Sequence, residues 1–255
     1  MDKYVLYALL ATLFTWLLTI LGSSMVFFFK KINKNVMDIA LGLAAGIMMA
    51  ASFFSLLNPA IVNASALNLI PWLVVSIGFI IGGIFIYISD IYFNYRFKNK
   101  PNKNKRLFLM ILSITLHNIP EGLAVGIAFG GVKYHIIDAN LTNALLLALA
   151  IGLQNFPEGS AISLPLRREG YSRTKAFIYG LLSAIVEPIF GVIGAILTIK
   201  LSLLMPILLS FAAGAMIYVI IEELIPESQT NKNKALMALF TLIGFIIMMI
   251  LDIAL

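Results

Sequence analysis

The sequence predicts an all-α membrane protein, one polytopic domain over residues 1–255 with eight transmembrane helices. Three observations predict it. Hydrophobic residues make up 61% of the chain and charged residues only 12%, against about 25% charged in an ordinary soluble domain. Eight apolar runs each reach the ~20 residues that a bilayer-crossing helix needs. Of the 18 basic residues, 15 fall on alternate connections between those runs, the bias that orients helices in a membrane.

The first run, near 4–29, is read as a retained helix rather than a cleaved leader. Its apolar stretch is long, and Lys30, Lys31 and Lys34 follow it instead of preceding it. The second run, near 36–57, holds Ser52 and Ser55, with Asn58 just beyond; these can line an ion path or simply bond to backbone. The third, near 70–93, ends before a polar stretch, 94–106, whose Arg96, Lys98, Lys100, Lys103, Lys105 and Arg106 suit a solvated linker. The fourth and fifth runs, near 107–130 and 141–165, flank an outer loop with His135 and Asp138, either entrance ligands or ordinary solvated residues. Arg167, Arg168, Arg173 and Lys175 separate the fifth run from the sixth, near 174–199. The seventh, near 203–224, brings Glu222, Glu223 and Glu227 to its inner end, as an exit funnel or as interfacial charge. Lys232 and Lys234 precede the eighth, near 235–254. Asp38 and Asp90 sit at inner ends, where pairing with a nearby Lys or Arg is expected.

The opposite side keeps only Lys3, Lys133 and Lys200. Both termini are therefore expected outside a cytoplasmic (cell) membrane, with lipids as the surrounding partner. The net charge of +6 is a topology signal, not a nucleic-acid patch. No Cys is present, so neither disulfides nor thiolate ligands are available.

An internal repeat is visible. Ala44-Ala45-Gly46 in helix 2 matches Ala212-Ala213-Gly214 in helix 7, and Gly78-Phe79-Ile80-Ile81 in helix 3 matches Gly244-Phe245-Ile246-Ile247 in helix 8. The basic-residue topology makes matching helices antiparallel. The arrangement expected is a 3+2+3 inverted repeat, helices 1–3 against 6–8, with 4 and 5 as the central pair. Transporters of this symmetry place their sites near the midplane.

His117-Asn118-Ile119-Pro120-Glu121-Gly122 in helix 4 recurs as Gln154-Asn155-Phe156-Pro157-Glu158-Gly159 in helix 5. Residues four apart share a helix face, so His117 stands over Glu121 and Gln154 over Glu158. Each proline frees a carbonyl four residues earlier, that of Leu116 or Leu153, and Gly122 and Gly159 permit close helix approach. Helix 6 adds Glu187-Pro188. An ionisable residue at membrane depth costs at least ~2.5–3.5 kcal/mol, and three nearby carboxylates cannot all stay ionised without a cation. A His/Glu/Asn/Gln set points to a divalent metal ion.

These residues resemble the ZIP (Zrt/Irt-like) family of divalent-metal transporters, in particular its short prokaryotic GufA-like branch. The resemblance spans nearly the whole chain and includes Ala51-Ser52-Phe53-Phe54-Ser55-Leu56, Phe211-Ala212-Ala213-Gly214 and Glu222-Glu223. It implies an eight-helix 3+2+3 fold that moves Zn²⁺, or Fe²⁺, Mn²⁺ or Cd²⁺, toward the cytoplasm, with no organic cofactor. It also implies a binuclear centre between helices 4, 5 and 6. One metal would take His117, Glu121, Gln154 and Glu158; the other would take Asn118, Glu121, Asn155, Glu158 and Glu187, with Glu121 and Glu158 bridging. Gln154 departs from the His that many relatives carry, and an amide oxygen is a weaker zinc ligand.

Other readings are constrained. A metalloprotease would want a His-Glu-x-x-His helix, which the two histidines do not form, so no enzyme is expected. A metal-gated channel or sensor with the same ligands stays open. So does a homodimer: Gly82-Gly83 and Gly191/Gly194 can serve helix contacts between chains or within one.

Overall fold

The computed structural model describes residues 2–28, 34–97, 103–133, 140–168 and 170–254. His135 and Asp138 lie outside the described residues, as do Lys30 and Lys31 and the side chain of His117. The described residues form eight helical rods. They are α1 (Lys3–Phe28), α2 (Lys34–Ala66), α3 (Pro71–Phe97), α4 (Lys103–Val132), α5 (Leu141–Arg168), α6 (Arg173–Lys200), α7 (Met205–Ser228) and α8 (Lys234–Ala254). All except α4 qualify among the described residues as long and apolar enough to cross a membrane; α4, at 30 residues, carries the first motif. Large apolar side chains such as Ile80, Ile88, Leu242 and Ile250 point outward, as lipid-facing side chains do.

Among the described residues five rods carry an internal proline, and three of them, α2, α6 and α7, depart from a regular α-helix beside it. Pro120 and Pro157 lie inside α4 and α5. In α2 a π-helical turn, Ser52–Leu57, precedes Pro59, and α2 continues past the expected end at 57 to Ala66. In α7 a π turn, Ile220–Leu224, precedes Pro226. A prolyl ring conflicts with the carbonyl four residues back, and a wide turn relieves that conflict. The two π turns begin 168 residues apart, the same spacing that separates Gly46 from Gly214. In α6, Ser172 caps the start by accepting from the Lys175 N–H, and the helix breaks at Ala184 and Ile185, just before Glu187-Pro188.

The tightest packing joins α1 to α5, α4 to α6, α3 to α7 and α2 to α8. Each pair is closed by at least two glycines that face backbone of the other helix. Gly22 faces Phe156 O and Gly159 faces Thr19 O; Gly122 faces Glu187 O and Gly194 faces Leu123 O. Gly82 faces Phe211 O and Gly214 faces Phe79 O; Gly46 faces Thr241 O and Gly244 faces Leu43 O. Small residues let membrane helices approach to backbone contact.

These contacts carry two regular spacings. Gly46 and Gly214, like Leu43 and Phe211, lie 168 apart, whereas Gly82 and Gly244, like Phe79 and Thr241, lie 162 apart. In packing, the counterpart of Gly244 is therefore Gly82, one helical turn beyond the Gly78 that local sequence similarity picks out. The same contacts occupy Gly82, Gly191 and Gly194 within the chain; Gly191 abuts Thr12. Those three glycines are thus engaged within the chain, whereas Gly83 is partly exposed, with Gly214 O 3.7 Å from its would-be Cβ.

Polar contacts join the connections at both ends of the rods. At one end Lys133 Nζ pairs with Asp2 Oδ2 at 2.5 Å, and the ammonium holds the Asp2 carboxyl below its ordinary range. At the other end Lys34 Nζ donates to Thr230 O at 3.2 Å. There buried Asp38 accepts from Asn231 Nδ2 at 2.8 Å. Among the described residues its partner is an amide and not a Lys or Arg, because Asn231, in the α7–α8 connection, folds over the start of α2.

Candidate metal site

The site forms where the proline-bearing stretches of α4, α5 and α6 converge. Asn118, Glu121, Gln154, Asn155 and Glu187 are all buried, and Glu158 is partly buried. Gln154 Nε2 donates to Glu121 Oε1 at 2.5 Å and to Asn155 Oδ1 at 2.9 Å. Asn155 Nδ2 reaches both oxygens of Glu187 at 2.9 Å. A hydrogen-bonded chain thus runs from α4 through α5 to α6, and both motif copies and Glu187 take part in one cluster.

Local breaks in the helices put these groups in place. Around the α6 break, Glu187 N turns to Ala184 O at 3.0 Å. Ser183 O is released from the helical pattern and accepts from Asn118 Nδ2 at 3.2 Å. That bond fixes the Asn118 amide and leaves its oxygen free.

Two buried acceptors, Asn118 Oδ1 and Glu121 Oε2, have no hydrogen-bond donor among the described residues. They stand three residues apart on α4, hence on one surface. A buried acceptor left unmade costs about 1–3 kcal/mol, more when charged. Glu121, Glu158 and Glu187 also act on one another electrostatically, and among the described residues no Lys or Arg pairs with them. Orphan oxygens, mutually repelling carboxylates and no basic partner describe a place that a divalent cation stabilises.

The ligand set is mixed. Among the described residues, no three of His, Asp or Glu gather tightly enough to hold a metal by themselves. The amides of Asn118, Gln154 and Asn155 interleave with the carboxylates instead. Side-chain amides can present either oxygen or nitrogen by a flip, so Gln154 and Asn155 can donate to carboxylates or turn an oxygen toward a cation.

Thr15 is a site neighbour absent from the sequence reading. Its hydroxyl donates to Glu187 Oε2 from the middle of α1. The available signal was a polar series, Thr12, Thr15, Thr19 and Ser23, at helical spacing inside an apolar run; all four are buried. Among the weaker candidates, Ser52 bonds back to Met48 O at 2.8 Å, and Ser55 donates to Asp252 Oδ2 at 2.7 Å. Asn58 and Glu222 are exposed. Glu223, in the α7 π turn, lies close enough to act electrostatically on Glu158.

The family model described as ZIP Zinc transporter matches residues 102–252, which include all seven candidate ligands. The chain belongs to the ZIP family. Whole-chain relatives agree. The ZIP11 zinc transporter of Xenopus tropicalis is 38% identical, covering 100% of this chain and 99% of its own length. The zinc transporter ZIPB of Bordetella bronchiseptica is 32% identical, covering 98% of this chain and 81% of its own. The zinc transporter GufA of Myxococcus xanthus is 31% identical, covering 97% and 98%. ZIP membership makes the chain a multi-pass metal transporter and not an enzyme.

Proposed function

We propose that this ZIP protein carries Zn²⁺ into the cell across the cytoplasmic membrane, through a binuclear site between α4, α5 and α6. The observation that carries the reading is the pair of donor-less buried oxygens, Asn118 Oδ1 and Glu121 Oε2, beside Glu158 and Glu187. One ion takes His117, Glu121, Gln154 and Glu158; the other takes Asn118, Glu121, Asn155, Glu158 and Glu187. Glu121 and Glu158 bridge the two ions. Zinc is the cargo named for the relatives, and carboxylate, imidazole and amide ligands suit it. Glu223 continues the acidic series beyond Glu158 and supports an exit on that side.

The whole chain acts as one transporter domain with both termini outside. The eight helices are read as a 3+2+3 inverted repeat. The packing pairs support this: exchanging helices 1 with 6, 2 with 7, 3 with 8 and 4 with 5 turns α1–α5 into α6–α4 and α3–α7 into α8–α2. A homodimer would need a lipid-facing surface other than the faces of Gly82, Gly191 and Gly194.

Transport follows when α1, α4, α5 and α6 move as a group against α2, α3, α7 and α8. The strongest pairings lie within these two groups and not between them.

The test is zinc uptake into liposomes containing the purified protein, wild type against Glu121→Ala. Saturable entry lost in the variant supports the reading. Entry of Fe²⁺, Mn²⁺ or Cd²⁺ in place of zinc changes the cargo and keeps the site. Large, non-saturating currents indicate a channel, and no flux of any metal removes the transport reading in favour of a sensor.

A further inference from the structure

We infer that Thr15 of α1 is a positioning residue for the metal site, holding Glu187 in its ligating orientation through a hydroxyl-to-carboxylate hydrogen bond. This rests on the transport reading above and extends its machinery to a fourth helix.

Thr15 is fully buried, and its Oγ1 has two acceptors within reach, Glu187 Oε2 and Thr12 O at 3.0 Å. One hydroxyl hydrogen serves one of them at a time. When Glu187 is ionised, as a metal ligand is, the bond to the carboxylate is charge-assisted and therefore the stronger. Thr12 and Thr19 show what ordinary helix threonines do. Thr12 Oγ1 bonds Ala8 O at 2.8 Å and Leu9 O at 3.2 Å, and Thr19 Oγ1 bonds Thr15 O at 3.4 Å. Of these three threonines, only Thr15 reaches across to another helix.

The other donor to Glu187 is Asn155 Nδ2, which spans both carboxylate oxygens. Asn155 is also a candidate ligand. When its amide oxygen turns to a cation, its nitrogen is drawn away from Glu187. Thr15 then remains as the donor that occupies Oε2 and leaves Oε1 for the ion. Partners that orient a metal ligand in this way are commonly worth about 10–100-fold in affinity or activity.

The geometry of α1 makes the support rigid. Gly191 abuts the Thr12 side chain, one turn from Thr15, and Gly159 abuts the Thr19 carbonyl on the other side. Thr15 is thus clamped between α5 and α6 at the level of Glu187, and it travels with them in any movement of the α1, α4, α5 and α6 group.

The experiment compares Thr15→Val, Thr15→Ser and Thr12→Val in two assays on the full chain. One is the KM and maximal rate of zinc uptake into liposomes. The other is the zinc concentration giving half-maximal thermal stabilisation of the detergent-purified protein. Wild type and Glu187→Ala are the references. Thr15→Val keeps the volume and removes the hydroxyl. Its zinc requirement is expected to rise about tenfold to a hundredfold in both assays, with the maximal rate largely kept. Thr15→Ser should restore the requirement to within about threefold, and Thr12→Val should leave it unchanged. If Thr15→Val does not assemble, Thr15→Ala against Thr15→Ser makes the same comparison. A wild-type zinc requirement in Thr15→Val or Thr15→Ala overturns the inference, as does equal impairment in Thr15→Ser. If wild type transports and Glu187→Ala does not, that failure concerns Thr15 alone. If wild type neither transports nor responds to zinc, the transport reading falls and the role of Thr15 falls with it.

Discussion

Gln154 Nε2 lies 2.5 Å from Glu121 Oε1, so the first residue of the second motif copy is bonded to the carboxylate of the first. The neutral amide satisfies one oxygen of the buried carboxylate, as an imidazole at 154 would do only in its protonated form or through its one N–H. The bond must open, or the amide must flip, before both side chains can ligate the same ion.

Gln154→His tests that relationship. Imidazole is the better zinc ligand, so the variant should bind zinc more tightly, with a KM lower by about tenfold and zinc favoured over Cd²⁺ and Mn²⁺. Competition uptake of ⁶⁵Zn against the other ions reads this directly. An unchanged KM and selectivity would take Gln154 out of the ligand set.

Helix approach can be tested with two glycines. A Cβ at Gly122 would meet Glu187 O at 2.5 Å and the Glu187 Cα at 2.9 Å, whereas a Cβ at Gly83 would have Gly214 O at 3.7 Å as its nearest contact. Gly122→Ala must push α4 from α6 and is expected to destabilise by about 1–3 kcal/mol, with uptake reduced because the displaced backbone carries Glu187. Gly83→Ala should melt within a degree or two of wild type. Thermal unfolding of the purified variants separates the two, and equal melting temperatures would contradict the packing described.

Acid should weaken uptake. The carboxylates and His117 must be unprotonated to bind metal, so protons compete with zinc. Lowering the pH from 8 to 5 should raise the apparent KM for zinc while saturating zinc largely restores the rate. A KM independent of pH over that range would rule out such competition.

Topology can be read by thiol labelling, because the chain has no Cys of its own. Lys133→Cys, at the end that also carries Asp2, should react with an impermeant maleimide applied to intact cells. Arg173→Cys and Lys232→Cys should react only after the membrane is opened. The reverse pattern would invert the termini and, with them, the direction of transport.

Much of this protein was legible in one dimension. The number and approximate limits of the helices follow from the apolar runs, because a helix that crosses lipid must be continuously apolar for ~20 residues. The ligand candidates Asn118, Glu121, Gln154, Asn155, Glu158 and Glu187 were equally visible, because buried polar residues in such runs have few structural explanations. Tertiary structure decided what depends on which helices touch. The repeat register is one case: Gly78 resembles the neighbourhood of Gly244 in sequence, yet Gly82 occupies its packing position, since a one-turn shift preserves a helix face while changing every contact. The π turns before Pro59 and Pro226 are another, since proline signals disruption without saying how the chain absorbs it. Thr15 is the third. Nothing local distinguishes it from Thr12 or Thr19, and its meaning arises only because α6 breaks at Ala184 and sets Glu187 against it across 172 residues of chain.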